Sequence, residues 1–216
     1  VSRPTNTKGT DAMAKPNGAG TGPPVTESRA ESFLRSALDI LGETGGTDFT
    51  VLDVVQRSKT SLRAFYQHFS TKDELLLALV ERIMADATTR WRAEITDLPA
   101  TEALHRLVER ISAAPHSSTQ DSINRGLSYY NDQLLQTRPL EFALVLRPLH
   151  ALLADLLRRG ISEGAFRADL DIDTDAAVLM QTILGALRLR ELGADLTGTP
   201  IDADQVCDFC LRALLA

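Results

Sequence analysis

The sequence lacks the segments that would place its 216 residues in or across a membrane. No apolar run approaches the ~18 residues that span a bilayer, and the first thirty residues contain no apolar signal segment. We therefore expect a cytoplasmic protein without a membrane partner. The chain also lacks a glycine-rich phosphate loop, a nucleophile elbow and a set of side chains at metal-ligand spacing. It is not predicted to be an enzyme, and no cofactor or metal is expected.

An excess of basic residues, the usual mark of a nucleic-acid-binding protein, is also missing, because the formal net charge is −6. The acidic residues are nevertheless concentrated in one part of the chain. Residues 28–72 carry six basic and five acidic side chains, whereas residues 73–216 carry fourteen basic and twenty-two acidic ones. This distribution leaves the N-terminal part free to approach DNA and would orient the molecule as it does so.

Cysteine is scarce, and the two cysteines, Cys207 and Cys210, form a C-x-x-C pattern. That spacing occurs in zinc and redox sites, but here it has no second cysteine pair, no nearby histidine and no preceding strand. Cysteines three apart on an apolar helical face are most simply core or interface residues. We interpret both in that way.

Residues 1–27 are rich in Gly, Pro, Thr and Asn and contain almost no large apolar side chains, so we expect a disordered tail. Arg3, Lys8 and Lys15 make this tail basic. A basic arm that reaches a neighbouring minor groove is the functional alternative to a tail that only aids solubility.

The rest of the chain has helical periodicity throughout, so the predicted fold class is all-α. The first helix is predicted to begin at Ser28, in a capping box with Glu31, and to end at Gly45-Gly46. We predict an N-terminal three-helix helix-turn-helix domain over residues 28–75. A C-terminal helical domain for ligand binding and dimerisation is predicted over residues 76–216.

Three helix start signals follow within thirty residues. Thr50 is predicted to cap a helix of about two turns in a capping box with Asp53. After a polar turn, Ser61 is suited to start the next helix. Thr71 and Glu74 form a further capping box at the start of a long helix.

The helix that begins at Ser61 is predicted to have two unlike faces. Leu62, Phe65 and Phe69 are spaced to point into a core, although contact with a thymine methyl group is the alternative for Leu62. Arg63 and Gln67 lie four apart on the opposite face. A polar face over an aromatic inner face is typical of the second helix of a helix-turn-helix, which enters the major groove.

The residues Tyr66 to Leu76, YQHFSTKDELL, resemble the aromatic-x-x-Phe-x-x-Lys-Glu-x-Leu block of the tetracycline-repressor (TetR) family of bacterial transcription regulators. Together with the preceding helix and its Gly45-Gly46 stop, the resemblance covers about fifty residues. It implies a homodimer that binds a double-stranded DNA operator and responds to a small molecule. Two residues depart from the family pattern, since Lys59 and Arg63 each stand where a glycine is usual. Lys59 is expected to cost about 1 kcal/mol in a left-handed backbone.

The predicted DNA-binding residues lie in the turn, in the second helix and at the start of the third. Arg63 and Gln67 have donors and acceptors that suit guanine and adenine edges. Lys72 opposes the dipole of the helix that it starts, and a phosphate bound there would remove the conflict. The alternative for all of these residues is a solvated helix face. The full set is Lys59, Thr60, Ser61, Arg63, Tyr66, Gln67, His68 and Lys72, of which Ser61, Tyr66, His68 and Lys72 are assigned to phosphates.

The C-terminal part is predicted to contain helices at about 100–113, 118–136, 140–163, 173–193 and 202–215. Pro148 lies inside the third of them and should kink or split it. The last two, 173–193 and 202–215, have more apolar surface than one neighbouring layer needs. The resemblance implies that they pair with the same helices of a second subunit, and the alternative is that this surface is monomer core.

An effector pocket is predicted among polar and aromatic residues on the largely apolar helices of the C-terminal part, since ligand sites between helices combine apolar walls with a few polar groups. For any one of them, a surface position or a satisfied core position is the alternative. A small apolar or amphipathic molecule is the expected effector. The residues are Trp91, His105, Asn124, Tyr129, Tyr130, Phe142, Arg147 and His150.

We therefore expect a transcriptional repressor that binds a near-palindromic operator as a dimer and is released by a small-molecule effector. Two other functions remain as alternatives. One is a helical dimer that acts through protein contacts, and the other is a small-molecule binding protein without a DNA function. Replacement of Arg63 separates these possibilities, because only a DNA reader loses sequence discrimination with it.

Overall fold

The computed structural model describes residues 1–2, 28–113, 117–191 and 198–215, so most of the expected N-terminal tail lies outside the described residues. The described part is helical, apart from turns and one isolated antiparallel bridge between Phe166 and Leu215, and the all-α prediction is confirmed. Among the described helices, none is both long and apolar enough to cross a membrane. The helices are α1 (Arg29–Thr44), α2 (Val51–Arg57), α3 (Leu62–Tyr66), α4 (Lys72–Ile95), α5 (Ala100–Ile111), α6 (Ser118–Thr137), α7 (Pro139–Ser162), α8 (Ile172–Glu191) and α9 (Ala203–Leu214).

Helix α1 begins and ends at the predicted residues. The Ser28 hydroxyl accepts a hydrogen bond from the Glu31 N–H (3.2 Å), and Gly45 ends the helix in the left-handed conformation with φ 67°. The N–H of Gly45 donates to the Leu41 carbonyl (2.8 Å), as expected of a glycine C-cap. The predicted capping box is wrong in its second half, because the Glu31 carboxylate pairs with Arg82 of α4 instead.

The caps of α2 and α4 also match their predicted residues. At α2 both bonds of the capping box are present, since Asp53 accepts from the Thr50 N–H (2.7 Å) and the Thr50 hydroxyl accepts from the Asp53 N–H (3.2 Å). At α4 the Thr71 hydroxyl accepts from the Glu74 N–H (3.1 Å). The predicted capping box is again wrong in its second half, because the Glu74 carboxylate accepts from the N–H of Ser70 and not from that of Thr71. Each cap satisfies N–H groups that the helix itself leaves without partners.

A first hydrophobic core, called here the N-terminal cluster, holds α1, α2, α3 and the first half of α4 together. Its fully buried side chains include Phe33, Leu41 and Phe65. The cluster does not stop at the predicted domain boundary after residue 75, because α4 runs through that boundary without a break. Helices α6 and α7 supply four of its buried side chains, Leu127, Tyr130, Leu134 and Val145.

A second core, the C-terminal cluster, is formed by the end of α4 together with α5, α7, α8 and α9. Helix α7 runs through its centre and continues past Pro148, so the predicted split at this proline does not occur. Pro139 occupies the first turn of the same helix, where the missing N–H costs nothing. Both cysteines, Cys207 and Cys210, are buried in this cluster, in agreement with their interpretation as core residues.

Helices α1 and α6 cross at two glycines. A Cβ placed on Gly126 of α6 would lie 3.0 Å from Leu41 Cδ2 and 3.3 Å from the Gly45 carbonyl oxygen. A Cβ placed on Gly42 of α1 would lie 2.7 Å from Thr119 Cγ2. Because these two positions lack side chains, the backbones of α1 and α6 can approach closely. Helix α6 of the C-terminal part therefore packs directly on α1, the helix that also supports α3.

Candidate nucleic-acid interface and effector residues

The turn between α2 and α3 is held by its own polar groups. The N–H of Lys59 donates to the Gln56 carbonyl (3.2 Å), and the N–H of Thr60 donates to the Val55 carbonyl (2.9 Å). The hydroxyl groups of Ser58 and Thr60 lie 2.8 Å apart. Lys59 has φ 53°, which confirms the left-handed backbone expected there. The turn holds this non-glycine residue in a conformation that costs about 1 kcal/mol.

Helix α3 is fixed by one cap and one aromatic contact. The Ser61 hydroxyl accepts a hydrogen bond from the Ala64 N–H (3.2 Å), as predicted. Phe65 is fully buried, and its ring meets that of Phe33 edge to face at 5.4 Å and 71°. Such a pair contributes about 0.5–1.5 kcal/mol beyond the apolar area that it buries. These contacts set which side of α3 faces α1.

The predicted inner face of α3 is wrong at Leu62, whose side chain is 44% exposed. The helix ends at Tyr66 and is therefore little more than one turn long. Only Ala64 and Phe65 of this turn face the core, and Phe69 packs on Phe65 from beyond the helix end, with ring centroids 5.7 Å apart. Leu62 is therefore an apolar residue on the outer face. Of its two predicted roles, contact with a thymine methyl group is the one that remains.

The outer face of α3 is polar and open to solvent. In the described part of the chain, no carboxylate lies within ion-pair distance of Lys59 or Arg63, whereas Arg57 in α2 pairs with Glu43 (2.8 Å). Both unpaired cations are therefore available to an anionic partner. The exposed side chains of this face are Arg63, Tyr66, Gln67 and His68.

Lys72 does not need a phosphate to satisfy its ammonium group. Its Nζ donates to the Thr47 carbonyl (2.8 Å) and lies 5.6 Å from the centroid of the Phe49 ring. Asp73 and Glu74 add negative charge in the same turn of α4. Sequence reasoning missed this contact, because Thr47 lies 25 residues earlier and acts through its backbone. An ammonium has three N–H donors, so two remain for an external acceptor.

Three of the predicted effector residues lie against the cores. Trp91 and Phe142 are half-buried, and Phe142 packs against both clusters. Tyr130 is buried in the N-terminal cluster, and its hydroxyl donates to the Asp73 carbonyl (3.1 Å). Burial and the nearby Asp73 raise the pKa of the Tyr130 hydroxyl to about 12.

The other five lie on or near the surface. Tyr129 is 70% exposed, and Arg147 is exposed as well. Asn124 accepts a hydrogen bond from the Gln120 side chain (2.8 Å). His150 Nε2 lies 3.0 Å from the Asp173 carbonyl oxygen, and His105 contacts carboxylates of α5 and α9.

The C-terminal part has two cavities on its surface, and the eight predicted effector residues do not gather around either of them. The larger, of about 640 Å³, is an apolar groove between α8 and α9. The smaller, of about 260 Å³, lies between α4 and α7 and has charged side chains at its rim. None of the eight lines either cavity. The larger is lined by Gln181, Thr182, Gly185, Ala186, Leu189, Thr199, Ile201, Gln205, Val206, Phe209 and Arg212, and the smaller by Arg92, Ile95, Thr96, Leu152, Asp155, Leu156 and Arg159.

The groove between α8 and α9 belongs to a wider apolar face on the two helices that were predicted to pair with a second subunit. Val178 is 57% exposed and Phe209 is 62% exposed. Leu189 and Ile201 are 47% and 49% exposed, and both line the groove. Large apolar side chains clustered in this way are typical of an interaction surface.

Residues 33–79 match the family described as "Bacterial regulatory proteins, tetR family". This segment contains α1 from Phe33 onward, α2, α3 and the first turns of α4, together with every predicted DNA-binding residue.

Similarity to known proteins extends beyond that segment. The HTH-type transcriptional repressor KstR2 of Mycobacterium tuberculosis is 28% identical over 187 residues, which cover 81% of this chain and 87% of that protein. KstR2 of Mycolicibacterium smegmatis is 24% identical over 202 residues, covering 89% and 92%. Among solved structures, the fatty acid degradation regulator FadR from Bacillus halodurans aligns with a TM-score of 0.65 and 17% identity, covering 85% of this chain and 98% of that one. The Stenotrophomonas maltophilia repressor SmeT aligns with a TM-score of 0.62 and 22% identity, covering 88% and 92%. At these identities the two solved structures support the fold.

Proposed function

Because this chain belongs to the tetR family of bacterial regulatory proteins, we propose that it represses transcription by occupying a near-palindromic operator as a homodimer. The outer face of α3 is the observation that carries the proposal. It exposes Arg63 and Gln67 over a fully buried Phe65, and the turn before it is fixed by hydrogen bonds. A short helix held rigidly with a hydrogen-bonding face outward can enter a major groove. Such a regulator would act in the cytoplasm.

Two side chains are assigned to contacts with bases, and the others are assigned to contacts with phosphates. The Arg63 guanidinium suits the O6 and N7 acceptors of guanine, and the Gln67 amide suits the N6 and N7 groups of adenine. Phosphate contacts hold the helix in register without reading sequence. They are assigned to Lys59 and Thr60 in the turn, to Ser61 at the start of α3, to Tyr66 and His68 at and just after its end, and to the free donors of Lys72.

A second copy of the chain is the proposed occupant of the apolar face on α8 and α9. A two-fold axis through this face repeats the same contacts on both subunits. It also supplies the second recognition helix, which must reach a major groove about 34–36 Å away along the operator. The exposed fractions of Val178 and Phe209 on this face support the pairing, since a monomer would leave this apolar surface in water.

A small apolar or amphipathic effector is proposed to release the repressor. The effector can act only if it binds more tightly to the conformation whose recognition helices are wrongly spaced for the operator. Trp91 and Phe142 are assigned to this role, and both lie half-buried against the C-terminal cluster, on α4 and α7. The buried Tyr130 then connects that region to the start of α4.

Operator binding by the purified protein tests the proposal. The probe is DNA from upstream of the protein's own gene, compared with unrelated DNA over a salt series. Selective binding that weakens as salt rises is expected, and the slope of log K against log salt is about −0.9 for each phosphate contacted. Equal, weak binding to both DNAs, followed by failure to select any fragment from the whole genome, would contradict a DNA function.

Replacement of Arg63 tests the assignment within the site. Arg63→Ala should lose about 1–3 kcal/mol of discrimination between the operator and a variant with its guanines replaced. Arg90→Ala is the matched control, because Arg90 is an equally charged, exposed residue of α4 outside the proposed interface. The control should keep wild-type discrimination. If the two variants behave alike, Arg63 does not read bases.

A further inference from the structure

A histidine and two carboxylates from two different helices meet on the surface of the C-terminal part. Helix α5 carries His105 and Glu109, four residues apart and therefore on one face. Helix α9 carries Asp204 in its first turn. His105 Nε2 lies 3.0 Å from Asp204 Oδ1, and His105 Nδ1 lies 3.6 Å from Glu109 Oε1. One potential ligand atom from each of the three side chains lies within 4.8 Å of the other two.

We propose that His105, Glu109 and Asp204 form a binding site for one divalent transition-metal ion such as zinc. Imidazole nitrogen and carboxylate oxygen are donors that zinc accepts at about 2.0–2.2 Å. The three donors must approach each other by about an ångström to reach tetrahedral spacing around an ion. Their side chains are 41%, 44% and 75% exposed, so small rotamer changes can achieve this and water can complete the coordination.

The charges around the cluster favour a cation. Two carboxylates face the imidazole, and among the described residues the cation paired with them is the Arg106 guanidinium, beside the second oxygen of Glu109 (3.5 Å). With a neutral imidazole the site therefore carries more negative than positive charge. Asp204 lies in the first turn of α9, next to the N-terminal end of that helix, and its carboxyl group is exposed to solvent.

The neighbouring thiol does not belong to the proposed ligand set. Cys207 lies one turn after Asp204 and is buried beneath the surface on which the three donors lie. Burial, followed by the nearby Cys210 and Asp208, raises the pKa of the Cys207 thiol to about 11. A fully buried thiol does not reach an ion bound among exposed side chains at the surface. The coordination is therefore oxygen and nitrogen only.

Metal binding would join α5 to α9 across the edge of the C-terminal cluster. Sequence spacing did not predict this site, because His105 and Asp204 lie 99 residues apart and meet only when the two helices pack. The proposal does not depend on DNA binding or on a second subunit, since all three donors come from one chain.

The test is a zinc titration of the full chain after removal of metal by a chelator and of any affinity tag. Competition with a coloured chelator should show one zinc per chain. His105→Gln and Asp204→Asn should each weaken this binding about 10-fold or more. His150→Gln is the matched control, because His150 contacts a backbone carbonyl of α8 and lies outside the cluster. It should bind zinc as the wild type does.

Two further readouts separate a built site from chance binding. Zinc should raise the melting temperature of the wild type and of His150→Gln but not that of His105→Gln. Cobalt in place of zinc should give d–d absorption without a thiolate charge-transfer band. Absence of saturable binding, equal binding by His105→Gln and wild type, or a thiolate band would each overturn the proposal. If zinc does not bind saturably, the role of His105 is limited to its contacts with the carboxylates of Glu109 and Asp204.

Discussion

The hydroxyl of Tyr130 in α6 donates a hydrogen bond of 3.1 Å to the backbone carbonyl of Asp73, in the first turn of α4. Asp73 follows directly after Lys72, whose ammonium is bound to the Thr47 carbonyl. One side chain of the C-terminal part therefore contacts the turn that positions the proposed DNA-binding surface. The same helix, α6, also crosses α1 at Gly126.

Removing only this hydroxyl should loosen the contact. Tyr130→Phe keeps the buried ring and loses one hydrogen bond, so the free energy of unfolding should fall by about 0.5–1.5 kcal/mol. Urea unfolding measures this change. Tyr129→Phe is the matched control, because the neighbouring ring is 70% exposed and its stability should stay the same. Equal stability of the two variants would mean that the Tyr130 bond contributes nothing net.

The left-handed residue of the turn predicts a stabilising substitution. Lys59→Gly removes the strain at φ 53° and should raise the free energy of unfolding by up to about 1 kcal/mol. Lys59→Ala removes the same charge but keeps the Cβ, so its stability should not rise. Both variants should lose the same amount of affinity for DNA, since each lacks the ammonium group. A glycine variant no more stable than the alanine variant would contradict strain at this turn.

Helix α7 lies so close to the segment that follows it that a side chain added at Gly160 should destabilise the protein. A Cβ on Gly160 would lie 2.0 Å from Phe166 Cδ2, and Phe166 is only 2% exposed. Gly160→Ala should therefore destabilise the protein by about 1–3 kcal/mol through overpacking, as measured by thermal or urea unfolding. Gly46→Ala, where nothing lies within 4 Å, should change stability by less than about 0.5 kcal/mol. Adding Phe166→Leu to Gly160→Ala should recover part of the loss.

A charge placed on the α8 and α9 face should separate the proposed subunits. Phe209→Lys removes a large apolar side chain and introduces a buried cation, which should weaken dimerisation by at least about 2 kcal/mol if Phe209 is central to the interface. Sedimentation velocity over a concentration series measures the dimer dissociation constant. Tyr129→Lys places the same charge at an equally exposed aromatic position of α6 and should leave the dimer intact. If the wild type itself sediments as a monomer, another surface or another partner must cover this face.

Alkaline pH should lower the stability of the protein through deprotonation of Cys207. Burial raises its pKa from an ordinary value of 9.0 to about 11. The unfolded chain therefore loses this proton at a lower pH than the folded chain does, and stability falls as pH rises from about 9 to about 11. Urea midpoints measured at intervals from pH 7 to pH 11 should show the decline. Cys207→Ala should flatten it even though the variant is less stable overall. Tyr130, with its pKa of about 12, adds a later decline that this substitution leaves in place.

The features that could be predicted from the sequence are local. Thr50, Ser61 and Thr71 are helix caps, and the sequence predicts all three at the correct residues. Each cap needs only its own hydroxyl and an N–H group three residues further along the chain. Features that depend on distant contacts could not be predicted in the same way. Leu62 was assigned to the core by its spacing, but the contact of Phe33 with Phe65 turns it outward.

Dependence on distant contacts also explains why the predicted effector residues do not form one pocket. Polar groups on apolar helices predict a pocket somewhere among those helices, but which of the groups meet depends on how the helices pack. In the structure His105 faces α9, Tyr130 faces α4 and His150 faces α8. The sequence alone has no signal for these pairings, because each joins residues that lie 23 to 99 positions apart.

The N-terminal cluster has one further consequence, which concerns exchange of domains between regulators. Leu127, Leu134 and Val145 are buried in this cluster although they belong to α6 and α7. A fragment cut after residue 75 would expose the apolar side chains that these residues cover. A chimera that joins this helix-turn-helix to the body of another regulator would need matching side chains on the acceptor's α6. Recombination between relatives is thus expected to preserve this contact, so that new specificity arises more readily by substitution on the outer face of α3 than by transplanting the domain.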